Sequence, residues 1–170
     1  SYTEPDYFLE EFAHKCVDAG VSAVVCGGTH QLKPIEIYHE KPIFYSLGNF
    51  IFQNHLVKKL PADFWDKYSY DVSLTVQEGM NIKTQNGTIG LEQDKNNYVS
   101  VIPMIEFEGE KLSDIVLLPI ELNFDNEYKG LPRIADEKDI RYIFEYLSDI
   151  SSAYNTKLIL DDLKFIKVEI

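Results

Sequence analysis

AVVCGGTHQLKPIEIYHEKPIFYSLGNFIF, Ala23 to Phe52, is the stretch whose reading decides the fold. An apolar β-branched run ends in Gly27-Gly28-Thr29-His30, a hairpin follows, and Leu47-Gly48-Asn49 turns the chain again before Phe50-Ile51-Phe52. Gly, Pro, Asn and Thr punctuate the apolar runs, and these residues let a backbone reverse at the end of a strand. Functional side chains concentrate where strands end in loops. His30 and the Ser46–Phe50 turn are therefore where chemistry is expected.

Upstream, Phe8, Leu9, Phe12, Ala13, Cys16 and Val17 recur at helical spacing, with Pro5 placed as the first helical residue and Gly20 as the C-terminal cap. His14 and Lys15 fall off that stripe and are expected to face water. The run Val21 to Cys26 reads as a central strand buried on both faces. Ile35–Tyr38 and Ile43–Ser46 flank His39-Glu40-Lys41-Pro42, a hairpin with a four-residue loop.

Downstream, a short helix is expected after Pro61, carrying Phe64 and Trp65. Asp71 to Gln77 alternates as a half-buried strand, with Val72, Leu74 and Val76 on one face. Glu78 to Asn97, which contains Asn86-Gly87, reads as a long polar loop or a marginal hairpin. Tyr98–Glu108 and Ser113–Phe124 form two strands across Gly109-Glu110-Lys111, with Pro103 and Pro119 confined to edges or bulges. Asp136 caps an amphipathic helix marked by Ile140, Ile143, Phe144, Leu147 and Ile150, running to about Tyr154. Leu158–Ile170 adds a last strand.

The chain has 170 residues, enough for one domain with a sizeable core. Hydrophobic residues make up 45% and charged ones 26%, which excludes wholesale disorder. The net charge of −12 disfavours nucleic acid and anionic lipid as partners. Cys16 and Cys26 make neither a disulfide framework nor a zinc cage, and read as buried small hydrophobes. No apolar run approaches the length of a membrane-spanning helix, and no signal-peptide pattern is present. The sequence opens on Ser1, directly in a helix-like pattern, so a fragment, a processed form or a trimmed chain is expected.

There is no Walker loop, no G-x-S-x-G elbow, no Cys-x-x-Cys and no Gly-rich dinucleotide fingerprint. His30 is the chemical candidate, because an imidazole just past a strand can bind a metal or polarise a phosphoryl oxygen. A turn histidine bonded to backbone is the rival reading. Ser46 and Asn49 are open in the same way. They orient a substrate, or they serve the turn alone, since Asn favours a left-handed position.

The run KPIEIYHEKPIFYSLGNFIFQ, Lys33 to Gln53, resembles the signature of the poly-γ-glutamate capsule biosynthesis (CapA) family. DAGVSAVV, Asp18 to Val25, is similar to the family's preceding helix and strand, and Leu131 to Leu158 to its closing helix. The family resembles the calcineurin-like metallophosphoesterases. The resemblance therefore implies an α/β fold, with a mixed sheet and flanking helices, forming the C-terminal half of a four-layer sandwich. It implies a single domain over 1–170 that is part of a larger one.

By the same resemblance His30 matches the second histidine of a G-H-x-H type turn, a metal ligand or phosphate contact; His30 is thus the candidate catalytic residue and metal ligand, and Thr29, Ser46 and Asn49 are the candidate substrate contacts. The implied cofactor is a divalent metal, Mn, Fe or Zn. Gly27-Gly28 stands where the family has a first histidine, so the site is incomplete in this chain and needs a missing N-terminal segment or another chain. The implied role is synthesis, export or anchoring of an anionic capsule polymer at the bacterial cell surface, together with the capsule-synthesis machinery. Its chemistry would be metal-assisted hydrolysis or transfer. The alternatives are a non-catalytic scaffold that binds polymer or partner, and a metal-dependent phosphoesterase.

Overall fold

The computed structural model describes residues 3–69, 71, 73–125, 127–162 and 164–170. Among the described residues it is an α/β fold of two sheets and four α-helices. Helix α1, Tyr7–Asp18, leads into β1, Val24–Val25; β2, Ile35–Tyr38, and β3, Lys41–Phe44, complete the first sheet in the order β1-β3-β2. β1 pairs parallel to β3, and β2 antiparallel to it, so this sheet is mixed.

Helices α2, Ala62–Tyr68, and α3, Val76–Lys83, follow. The second sheet is antiparallel: β4, Val99–Glu108, β5, Lys111–Glu121, then β8, Phe165–Val168, and β7, Leu158–Asp161, with β6, Arg133–Ile134, also on β5. Helix α4, Glu137–Ser151, has Asp136 as N-cap, its Oδ1 accepting from Asp139 N at 3.0 Å.

The main core joins the two sheets through α4. Leu32, Ile35 and Phe44 meet Val99, Val101, Ile115 and Leu117, and Ile140, Ile143, Leu147 and Ile150 of α4 cover them. The helical spacing of those α4 residues is what turns one apolar stripe inward. A second cluster packs Ala13 and Val17 of α1 on Val24, Ile43 and Tyr45.

Several expectations are corrected. Asp6, not Pro5, is the residue before the first helical turn. Phe8 and Phe12 are exposed and stack on each other with centroids 6.2 Å apart, so only part of the expected α1 stripe faces the core. His14 does not face water alone: its Nε2 lies 2.9 Å from Glu36 Oε2, and its ring stacks on Tyr38 at 4.0 Å. Packing α1 across β2 brings one more helix position into contact than the apolar stripe contains.

The expected central strand Val21–Cys26 shortens to Val24–Val25 at one end of its sheet, with Val25 57% exposed. Cys16 and Cys26 are free and only half-buried. The β2–β3 loop has two residues rather than four. His39 and Glu40 both carry positive φ, 47° and 61°, the conformation a tight hairpin with right-handed strand twist requires.

No strand spans Asp71–Gln77 among the described residues, and Val72 lies outside them. Asp71 Oδ1 accepts from Ser73 N at 2.8 Å, and Thr75 and Glu78 form a reciprocal capping box that starts α3. Local side-chain hydrogen bonds thus outrank the short alternation. The expected loop Glu78–Asn97 is helical over α3 and holds two 3-10 turns. Pro119 lies in β5, an internal strand, at the gap between the residues paired to β8 and those paired to β6, where no donor is needed. The final segment is a hairpin, β7–β8.

Candidate functional site at the His30 turn

Cys26 N donates to Phe44 O at 2.8 Å and prolongs β1 by one bond before the chain leaves the sheet. Gly28 then adopts φ 97° and His30 φ 64°. A left-handed histidine is uncommon and costs conformational energy that its surroundings must offset. Two groups of contacts do so. The ring lies 5.6 Å from that of Phe52, which is buried and packs edge-on against Tyr98 at 5.3 Å. The other group belongs to Asn49.

Asn49 Nδ2 donates to His30 O at 3.2 Å and to Asn97 O at 2.9 Å, while its Oδ1 lies 2.9 Å from His30 Nδ1. Two carbonyl acceptors fix which end of the carboxamide is NH2. The oxygen therefore faces the ring, and Nδ1 must carry the proton it donates. In the neutral ring the lone pair then sits on Nε2. This is the tautomer that a hydrogen bond to the far nitrogen selects in metal-binding and general-base histidines.

Gly48 makes this placement possible. Its φ is 77°, and a Cβ there would lie 2.7 Å from Val99 O. The close approach lets the 47–49 turn dock on β4, where Gly48 pairs with Ser100 and Ser100 Oγ donates to Leu47 O.

The other expected site residues sit apart from the ring. Ser46 is 2% exposed, and its Oγ accepts from Gly48 N at 3.2 Å. Thr29 Oγ1 donates to Gln31 O at 3.0 Å. The structure thus unites His30 with Asn49 and turns the Thr29 and Ser46 hydroxyls to backbone. Sequence reading missed Asn97 and Phe52. Phe52 lay inside the decisive run, but nothing local marked Asn97, whose carbonyl arrives from the far side of the α2–α3 segment.

Among the described residues no three His, Cys, Asp or Glu side chains converge to hold a metal. His30 Nε2 supplies one oriented donor, and structural or catalytic metal sites need three or more. The residues present therefore do not fit a self-sufficient metal centre.

Residues 2–54 match the family described as bacterial capsule synthesis protein PGA_cap. Over these residues the chain is similar to the CapA capsule synthesis family. Both His30 and Asn49 lie within the matched segment. The uncharacterized protein y4sH of Sinorhizobium fredii is 35% identical over 168 residues, covering 94% of this chain and 36% of that protein. The PGA biosynthesis protein CapA of Bacillus subtilis is 43% identical over 49 residues, 29% of this chain and 13% of its own length. A probable polyglutamine synthesis accessory protein of Mycobacterium tuberculosis is 45% identical over 40 residues, 24% of this chain and 10% of its own. The chain spans about a third of the y4sH relative's length and a smaller share of the other two.

Proposed function

We propose that this chain is a segment of a CapA-like protein working in capsular poly-γ-glutamate synthesis, export or anchoring at the bacterial cell surface. The observation that carries the reading is that the family match covers the His30 turn and the Asn49 side chain that orients it. An imidazole with its lone pair on an oriented Nε2 can ligate a cation or accept a proton from a bound substrate. In the primary reading Nε2 is one ligand of a divalent metal, Mn, Fe or Zn, and the other ligands come from polypeptide beyond this chain. Such an ion supplies Lewis-acid chemistry. The described residues do not complete its shell.

Gly27-Gly28, standing in place of the family's first histidine, favours a second reading: a non-catalytic scaffold that binds polymer or partner through the same turn. Metal analysis of the intact protein purified without chelator separates the two. The primary reading expects stoichiometric metal that His30→Ala removes. Absence of metal in the unsubstituted protein leaves the scaffold. For the cellular role, His30→Ala in the native host is expected to lower surface-bound polymer at least about tenfold. Unchanged polymer at normal protein level overturns the assignment of His30.

A further inference from the structure

A cavity of about 180 Å³ lies between the segment after Phe52 and helix α3, and four carboxamides line it: Asn54, Gln77, Asn81 and Asn86. Gln77 and Asn81 stand one turn apart on α3, and Gln77 Nε2 donates to Asn81 Oδ1 at 2.9 Å. That bond leaves the Gln77 oxygen and the Asn81 NH2 group to face a ligand as an acceptor–donor pair. The chain after α3 runs through three consecutive left-handed residues, Gln85, Asn86 and Gly87, with φ of 49°, 58° and 77°. This tight path folds Asn86 back over the helix, its N–H donating to Asn81 O at 2.7 Å.

The side chains of Asn54, His55, Asn86 and Glu92 also line the cavity and hydrogen-bond to no other described residue. Val57, Val76 and Met80 give it an apolar patch. No Lys or Arg contributes to the lining.

Paired donors and acceptors beside an apolar patch suit a ring whose hydroxyls both donate and accept and whose C–H face is apolar. A carboxylate or phosphate would find no Lys or Arg in the lining, and Glu92 would repel it. The volume lies below the roughly 300 Å³ at which pockets for drug-sized ligands begin, so a single ring is the fit. We propose that this cavity binds one neutral pyranose unit of a glycan.

Titration calorimetry of the protein containing this whole chain, with glucose, galactose and N-acetylglucosamine in turn and glucuronate as the charged comparison, tests the proposal. The expected result is saturable binding of at least one neutral sugar, with Kd of millimolar order, and at least about tenfold weaker binding of glucuronate. Gln77→Ala removes the acceptor–donor pair and is expected to weaken the sugar at least about tenfold. Ala is the stronger helix former at this exposed position, so the fold is retained, which circular dichroism verifies. As a second variant, Glu92→Gln is expected to narrow the gap between glucose and glucuronate. No saturable response to any neutral sugar up to roughly 100 mM overturns the proposal, as does binding undiminished in Gln77→Ala or a gap unchanged in Glu92→Gln.

Discussion

Asn49 grips His30 twice, its Oδ1 accepting a hydrogen bond from the ring Nδ1–H and its Nδ2 donating to the same residue's backbone carbonyl. One side chain therefore sets both the tautomer of the imidazole and the left-handed backbone beneath it. Replacing Asn49 with Ala is expected to shift His30 toward the Nε2-protonated tautomer. It is also expected to cost about 1–3 kcal/mol, the usual range for leaving partly buried polar groups unpaired. Nitrogen chemical shifts of the ring report the first, and urea unfolding the second. Asn49→Asp keeps an acceptor at His30 Nδ1 but loses both donations to backbone carbonyls, so it should retain the Nδ1-protonated tautomer without retaining the stability. Ring nitrogen shifts that are the same in Asn49→Asp, Asn49→Ala and the unsubstituted protein would show the contact to be absent in solution.

Gly48 and Gly130 should not accept a side chain. Gly130 has φ 86°, and an added Cβ would collide with Phe52 O, the group beside Phe52's own bond to Gly130. Gly48 meets Val99 O in the same way. Left-handed backbone alone costs an L-residue roughly 1–2 kcal/mol. Each Gly→Ala change is expected to exceed that in chemical denaturation, and Gly130→Ala should also disturb His30 resonances through Phe52.

Stability should fall at alkaline pH because of Tyr45. Its phenol is fully buried and donates to Glu36 Oε2 at 2.6 Å. Burial first, then this hydrogen bond and the Glu36 charge, push its pKa far up. A raised folded pKa means the stabilisation is whole below the unfolded value near 10 and declines as pH rises above it. The expected slope is about 1.4 kcal/mol per pH unit for this residue. Unfolding free energies at several pH values above 10 check it, and Tyr45→Phe should reduce the slope.

Leu147 of α4 is fully buried in the core that joins the two sheets. Leu147→Ala is expected to cost about 2–5 kcal/mol, by lost burial and the cavity left behind. Thermal unfolding reads this directly, and a change below about 1 kcal/mol would place α4 outside the cooperative core.

Much of the secondary structure is legible in the chain. Asp136 and the apolar spacing behind it define α4, and the β2–β3 and β4–β5 hairpins follow from alternation around short turns. The start of α3 was equally available, since Thr75-Val76-Gln77-Glu78 is a capping-box pattern. Alternation over seven residues hid it. His14 was not available in that way, because its partner Glu36 lies on another element and no periodicity names it.

The decisive run determined by itself which residues turn the chain, and it placed His30 and Asn49 at strand ends. Those are consequences of local backbone freedom: Gly, Asn and hairpin residues choose their conformations from neighbouring atoms. Only the tertiary structure decided what the two residues do to each other. Docking of the Gly48 turn on β4 brings Asn97 O to Asn49, and that distant carbonyl helps to fix the amide and hence the ring proton. Hydrogen-bond direction at His30 depends on a group 48 residues further along the chain than Asn49. No local pattern encodes such a contact, and the packing of two sheets through one helix supplies it.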